Sequence, residues 1–203
     1  MPAKKFDQNH HSSTSSAVAR PSRGTVVVAA GAVGFVALAA VAAAAPAQAQ
    51  TSQVAAARVF RGALSDLQPA TAGPLDGARA KLVFVQHRSS STFVLVVSGV
   101  APAGVGETYG AHLHTGACVA GNGAAAGPHY NDSTMRGVVP PVVNDQTEVW
   151  LDVTIGADGS GVSVAKVPFV PSPGNRSVVI HADHTDDHGV AGPRQACLPV
   201  SWS

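Results

Sequence analysis

Residues 80–100 read AKLVFVQHRSSSTFVLVVSGV, and their pattern decides the fold class. Two runs rich in valine, leucine and phenylalanine, at 80–87 and 92–100, flank Ser89-Ser90-Ser91. β-branched and aromatic side chains fit a pleated, half-buried surface, and a short polar break is how two such strands are joined. The same signature recurs at 57–64, 147–155, 161–167 and 177–182, with a short last run at 197–202. Ala157-Asp158-Gly159 supplies another hairpin turn. No segment repeats apolar residues at helical spacing between caps. An all-β domain follows, a sandwich or barrel of antiparallel strands.

Two stretches interrupt this pattern. The segment 101–146 is rich in glycine and proline, and 183–194 is the second. Loops on a rigid β scaffold are where sites usually lie. Here they hold or border four histidines: His112 and His114 in Ala111-His112-Leu113-His114, His129 in Gly127-Pro128-His129-Tyr130-Asn131, and His181 in Val179-Ile180-His181-Ala182-Asp183. Any one of them reads equally well as an ordinary half-buried polar residue. A His-x-His pair on an extended segment, however, projects both rings from one face. An all-imidazole set suits copper, zinc or iron and not calcium or magnesium.

Residues 1–24 are polar, serine-rich and basic, with Lys4, Lys5, Arg20 and Arg23 against Asp7 alone. Residues 25–45 carry no charge, and Pro46-Ala47-Gln48-Ala49-Gln50 follows. A basic start, an apolar run and a small-x-small site describe a secretory signal peptide, with cleavage expected after Ala49. The apolar run is also just long enough to span a bilayer, so an uncleaved anchor is the alternative. Either way the domain 50–203 is expected outside the cytoplasm, touching a membrane only through the N-terminal segment and only if that segment stays uncleaved. The leader has no cysteine and no Arg-Arg pair, which disfavours a lipoprotein anchor and the twin-arginine route. His10 and His11 lie in this leader and are not expected to bind metal.

Residues 1–49 hold four of the 13 basic residues and one of the 12 acidic ones, so the rest carries a net charge near −2. That balance offers no argument for nucleic acid. The remaining chain has the length of a single domain with a real core. Its two cysteines, Cys118 and Cys197, most simply form one disulfide in an exported domain, the alternative being a cysteine-containing metal site.

Taken together these pieces resemble the copper/zinc superoxide dismutase family. His112-Leu113-His114 is similar to its copper-binding His-x-His. Gly127-Pro128-His129-Tyr130-Asn131 is similar to the segment holding the bridging histidine. The run from Ser177 to Asp183 resembles the strand of the last copper ligand. Gly192-Pro193-Arg194-Gln195-Ala196-Cys197 resembles the ending with the active-site arginine and the second disulfide cysteine, and Cys118 sits where bacterial members place the first. The resemblance spans most of 57–200. It implies a Greek-key sandwich or barrel of about eight strands with two long site-forming loops. It implies one copper held by His112, His114, His129 and His181, with superoxide dismuted to dioxygen and hydrogen peroxide. It gives His129 a proton-carrying role and makes Arg194 the guide for the superoxide anion.

One departure is large. Zinc-containing members place further histidines and an aspartate after the bridging histidine, but no histidine occurs here between His129 and His181. The short segment Asp132–Asp145 offers only Asp132, Asn144 and Asp145 as oxygen donors, a poor zinc site. Copper without zinc is therefore expected, as in the copper-only branch. His129 then needs another partner for its far nitrogen, with Asp132, Asp145 and Asp152 as candidates. Asp186-Asp187-His188-Gly189 resembles the family's Asp-Asp-x-Gly shifted by one residue, which makes Asp186 a candidate to orient a copper ligand. His184 and His188 read as exposed loop residues, and His87 as structural or surface. An exported copper carrier on the same fold is the competing function, and a metal-free relative the third. Arg194 speaks against the carrier, since copper storage needs no anion guide. The oligomeric state is not legible.

Overall fold

Strand β3 (Arg79–Gln86) turns through 87–90 into β4 (Ser91–Ser98), in a computed structural model that describes residues 56–203. The leader, its apolar run and the expected cleavage site lie outside the described residues. The backbone N–H of His87 closes the turn on the Ser90 carbonyl. Their register sets Phe84 opposite Phe93, with rings stacked at 4.7 Å. Such a pair contributes roughly 0.5–1.5 kcal/mol beyond the area it buries. Strands β1 (Ala56–Ala63) and β8 (Gly161–Val167) complete an antiparallel sheet in the order β1-β3-β4-β8.

The second sheet contains β2 (Ser65–Asp66), β6 (Ala111–His114), β9 (Ser177–His181) and β10 (Arg194–Pro199), ordered β2-β10-β9-β6. Two short strands, β5 (Thr108–Tyr109) and β7 (Val153–Thr154), pair apart from it. Leu82, Phe84, Phe93 and Leu95 of the first sheet share one buried cluster with Leu113, Val178, Ile180 and Leu198 of the second. This is the expected antiparallel β domain, a sandwich whose two sheets do not close on one another.

Three expectations change in detail. The strand expected at 147–155 pairs regularly only at its end, as β7. Glu148 and Trp150 make single bridges, to Asn131 and His112, because their neighbours are site loops rather than a continuous strand. The last strand runs from Arg194 to Pro199. It stops at a proline, which has no N–H to donate, and Trp202 bridges back to Gly174. The segment 101–146 is not loop throughout: it holds β5, β6 and a one-turn helix, α1 (Asp132–Met135), whose N-terminus is capped by the Asn131 side chain.

Gln50–Ser203 forms a compact unit with its own core and its own disulfide, which is what a domain needs to fold alone. Among the described residues no helix is long and apolar enough to cross a membrane.

Candidate metal centre

Strand alternation aims the histidines. Leu113 lies in the core, so His112 and His114 project from the opposite face of β6. On β9, Val178 and Ile180 face the core, so His181 faces out with Val179. β6 pairs with β9, and this brings the three imidazoles together. His129 arrives on the loop 115–131, stitched to His114 by a single bridge. One nitrogen from each of the four lies within 4.8 Å of every other. His112, His114 and His181 are buried, while the His129 side chain is 18% exposed.

The hydrogen-bond partners fix which nitrogen carries the proton. Nδ1 of His114 contacts the Gly127 carbonyl at 3.0 Å, and Nδ1 of His181 contacts the Gly192 carbonyl at 3.0 Å. A carbonyl only accepts, so both Nδ1 atoms carry hydrogen and both Nε2 atoms carry a lone pair. Gly127 and Gly192 have φ of +68° and +71°. A side chain at either would be strained, so glycine is what lets these carbonyls point at the rings. His112 is turned the other way. Its Nε2 lies 2.9 Å from Thr185 Oγ1, whose own hydrogen goes to Asp152 Oδ1. The hydroxyl must therefore accept from His112, which leaves the lone pair on Nδ1. That Nδ1 is buried and has no partner. Nδ1 of His129 contacts Glu148 Oε2 at 3.0 Å, leaving its Nε2 bare.

Four imidazole lone pairs thus converge. Nε2 of His114 and Nε2 of His181 stand 3.2 Å apart, and two bare acceptors cannot bond each other without a cation between them. Burial drives the His112 and His114 pKa values well down and lowers that of His181, aided by mutual repulsion with the neighbouring rings, so protons are a poor substitute for that cation. An orphaned buried nitrogen and an acceptor–acceptor contact are what a metal site looks like in its protein atoms, and the all-imidazole donor set fits copper or zinc.

Glu148 is the partner behind His129. None of the three expected aspartates takes that place: Asp132 pairs with Arg136 at 2.9 Å, Asp145 is exposed, and Asp152 serves Thr185. Burial opposes the Glu148 charge, but hydrogen bonds from His129, Trp150 and Asn131 outweigh it and hold the carboxyl below its usual range. The alternation Glu148-x-Trp150-x-Asp152 was the available clue. Val149, Leu151 and Val153 are buried in the core, so the three polar-edged residues between them face the site.

Asp186 does not reach a ligand. Its carboxylate accepts the backbone N–H groups of His188 and Val190 and closes its own turn. The neighbouring Thr185 orients His112 instead. Thr185→Val keeps the shape but leaves His112 Nε2–H without an acceptor. Metal affinity is expected to fall by about 10–100-fold, as for other lost outer-shell partners. Competition titration against a chelator checks this, and wild-type affinity would remove Thr185 from the site. His184 and His188 are exposed, His184 lying 3.5 Å from Asp152, and His87 sits exposed at the β3–β4 turn beside Thr92.

Arg194 reaches the site through a β-bulge. The register of β10 on β9 shifts between Arg194 and Ala196. Ala196 and Leu198 face the core, and unbroken alternation would send Arg194 there too. The extra residue re-aims it to the Cys197 side. Its guanidinium donates to the Gly123 and Gly127 carbonyls, so one carbonyl holds both Arg194 and His114. Its charge is felt at His114 and His181, where it further disfavours protonation. Cys118 and Cys197 are bonded, tying the same loop to β10.

No family model matches the chain. Among solved structures it is similar to a double mutant of a SOD-like protein from Bacillus subtilis, with a TM-score of 0.50 and 16% identity over 70% of this chain and 97% of that one. It is also similar to the clock protein EA4, with a TM-score of 0.48 and 16% identity over 71% of this chain and 92% of that one. The chain has a SOD-like fold. On that fold the four-histidine group is a candidate metal centre.

Proposed function

We propose that this chain is an exported copper superoxide dismutase that works without zinc. The observation that carries the reading is the convergence of four imidazole lone pairs, one of whose rings is backed by a carboxylate. His112, His114, His129 and His181 would hold the ion. Bound copper would supply the one-electron exchange by which two superoxide ions and two protons become dioxygen and hydrogen peroxide.

The remaining work belongs to the protein. Glu148 holds a proton on Nδ1 of His129, where zinc would sit in the zinc-containing relatives that the sequence resembles. Its fixed carboxylate also keeps Nε2 of that ring aimed inward. His129 is the most exposed of the four histidines, which suits a residue that exchanges protons with solvent. Arg194, pinned by two carbonyls, is a cation held beside the buried imidazoles. A small anion gains from such a charge in both local concentration and orientation. The disulfide suits an oxidising compartment, as the leader expects.

The test uses residues 50–203 loaded with copper, with metal content and superoxide decay measured on one sample. One copper, no zinc and fast decay is the expected result. Copper with decay no faster than buffer assigns the carrier function instead, and stoichiometric zinc overturns the copper-only reading. In His129→Ala, copper is expected to remain on the other three ligands while dismutation is lost. Unchanged turnover in that variant removes His129 from proton transfer.

A further inference from the structure

Among the described residues nothing covers the outer face of the first sheet, and its register is unusual. Val59 lies opposite Val83, Val83 opposite Val94, and Val94 opposite Val164, so one valine row crosses all four strands. The adjacent row runs Arg61, Lys81, Val96, Val162. Val59, Val162 and Val164 are 56%, 63% and 55% exposed. These side chains alternate with Leu82, Phe84, Phe93 and Leu95, which fill the core, so the valines have no partner inside the fold.

The charged side chains on the strands themselves and on the 87–90 turn share one sign. Arg61 stands directly opposite Lys81, with Arg79 next on the same face, and Lys166 marks the other end beside the Arg88 turn. All five are exposed, and none is in an ion pair among the described residues. The four strands carry no acidic residue, although the domain as a whole is slightly acidic. Like charges directly opposite on a sheet repel. A second copy laid face to face would stack this basic row on itself and add to the repulsion. A soluble polyanion would satisfy the cations and leave the valines in water.

We infer that the outer face of the β1-β3-β4-β8 sheet docks on an anionic lipid bilayer. The cations meet lipid phosphates and the valine band rests at the headgroup–acyl boundary. The inference is independent of the metal centre, since none of these residues touches it. It also does not depend on the fate of the leader, because the face belongs to the folded unit.

The experiment is co-sedimentation of the domain 50–203 with vesicles of pure phosphatidylcholine and of phosphatidylcholine mixed with phosphatidylglycerol. Binding is expected only to the anionic vesicles and should weaken with salt. The double variant R61E/K81E should bind about 30-fold more weakly or worse. Both positions are solvent-exposed, and an unchanged melting temperature confirms that the variant is folded. V94T/V164T keeps β-branched shapes on the strands and should weaken binding several-fold without altering the salt dependence. Equal binding to both vesicle types, or full binding by R61E/K81E, overturns the proposal. Vesicle binding unaffected by V94T/V164T, together with equal binding to dextran sulfate, overturns it in favour of a polyanion.

Discussion

The metal-free domain is expected to lose stability steeply between pH 7 and pH 5. His112 and His114 are buried, and desolvation, reinforced by the neighbouring rings, depresses both pKa values far below that of a free imidazole. The unfolded chain has no such constraint and takes up protons as the pH falls through about 6.5. Below that value the unfolded state binds more protons than the native one, so stability falls with falling pH. A native imidazole that stays neutral down to pH 5 costs about 2 kcal/mol relative to pH 7, or about 4 kcal/mol for the pair. His181 shifts in the same direction and adds to this. The total is comparable to the whole stability of many small domains, about 5–15 kcal/mol. Denaturant unfolding at pH 7, 6 and 5 measures it. A metal ion held by the four imidazoles should flatten the curve, because it would take the neutral ligands of the native state. A metal-free domain with the same midpoint at pH 7 and pH 5 would contradict the buried, neutral cluster.

The second large effect is expected from the disulfide. Cys118 and Cys197 are 79 residues apart in sequence, so their bond closes a long loop in the unfolded chain. By chain entropy it contributes about 4.5 kcal/mol. The double variant Cys118→Ser with Cys197→Ser should lose that amount at pH 7, read from the denaturant midpoint. It should also bind copper more weakly, for a structural reason. The bond holds the loop 115–131 against β10, and that loop presents both His129 and the Gly127 carbonyl that orients His114. A variant with lowered stability and unchanged copper affinity would show that Arg194, through its two carbonyl contacts, holds the loop without help.

The parts that could be read from the chain are those governed by local periodicity. The β3–β4 hairpin, β1 and β8 follow from alternation between core and solvent, while β9, buried along its whole length, is legible as a short β-branched run. The His-x-His pair is legible for the same reason, since one intervening residue puts both rings on one face. The stretch 147–155 also shows the limit of parity. Its alternation was visible as a strand, yet it pairs with site loops, and the use of its polar face could not be read without knowing what lies opposite. Sequence proximity therefore points to Asp132, Asp145 and Asp152 as the acid behind His129, while Glu148 holds the position.

By itself the sequence determined the class of the fold, the four imidazoles, and the cysteine pair, because these depend on composition and short spacing. The tertiary structure alone decided three things. It chose Glu148 over three aspartates, because a hydrogen bond needs an acceptor within about 3 Å and sequence distance does not measure that. It gave the orienting role to Thr185 rather than Asp186, because the Asp186 carboxylate is consumed by the backbone of its own turn. It also placed Arg194 at the site rather than in the core, because one extra residue in β10 reverses the face of everything before it.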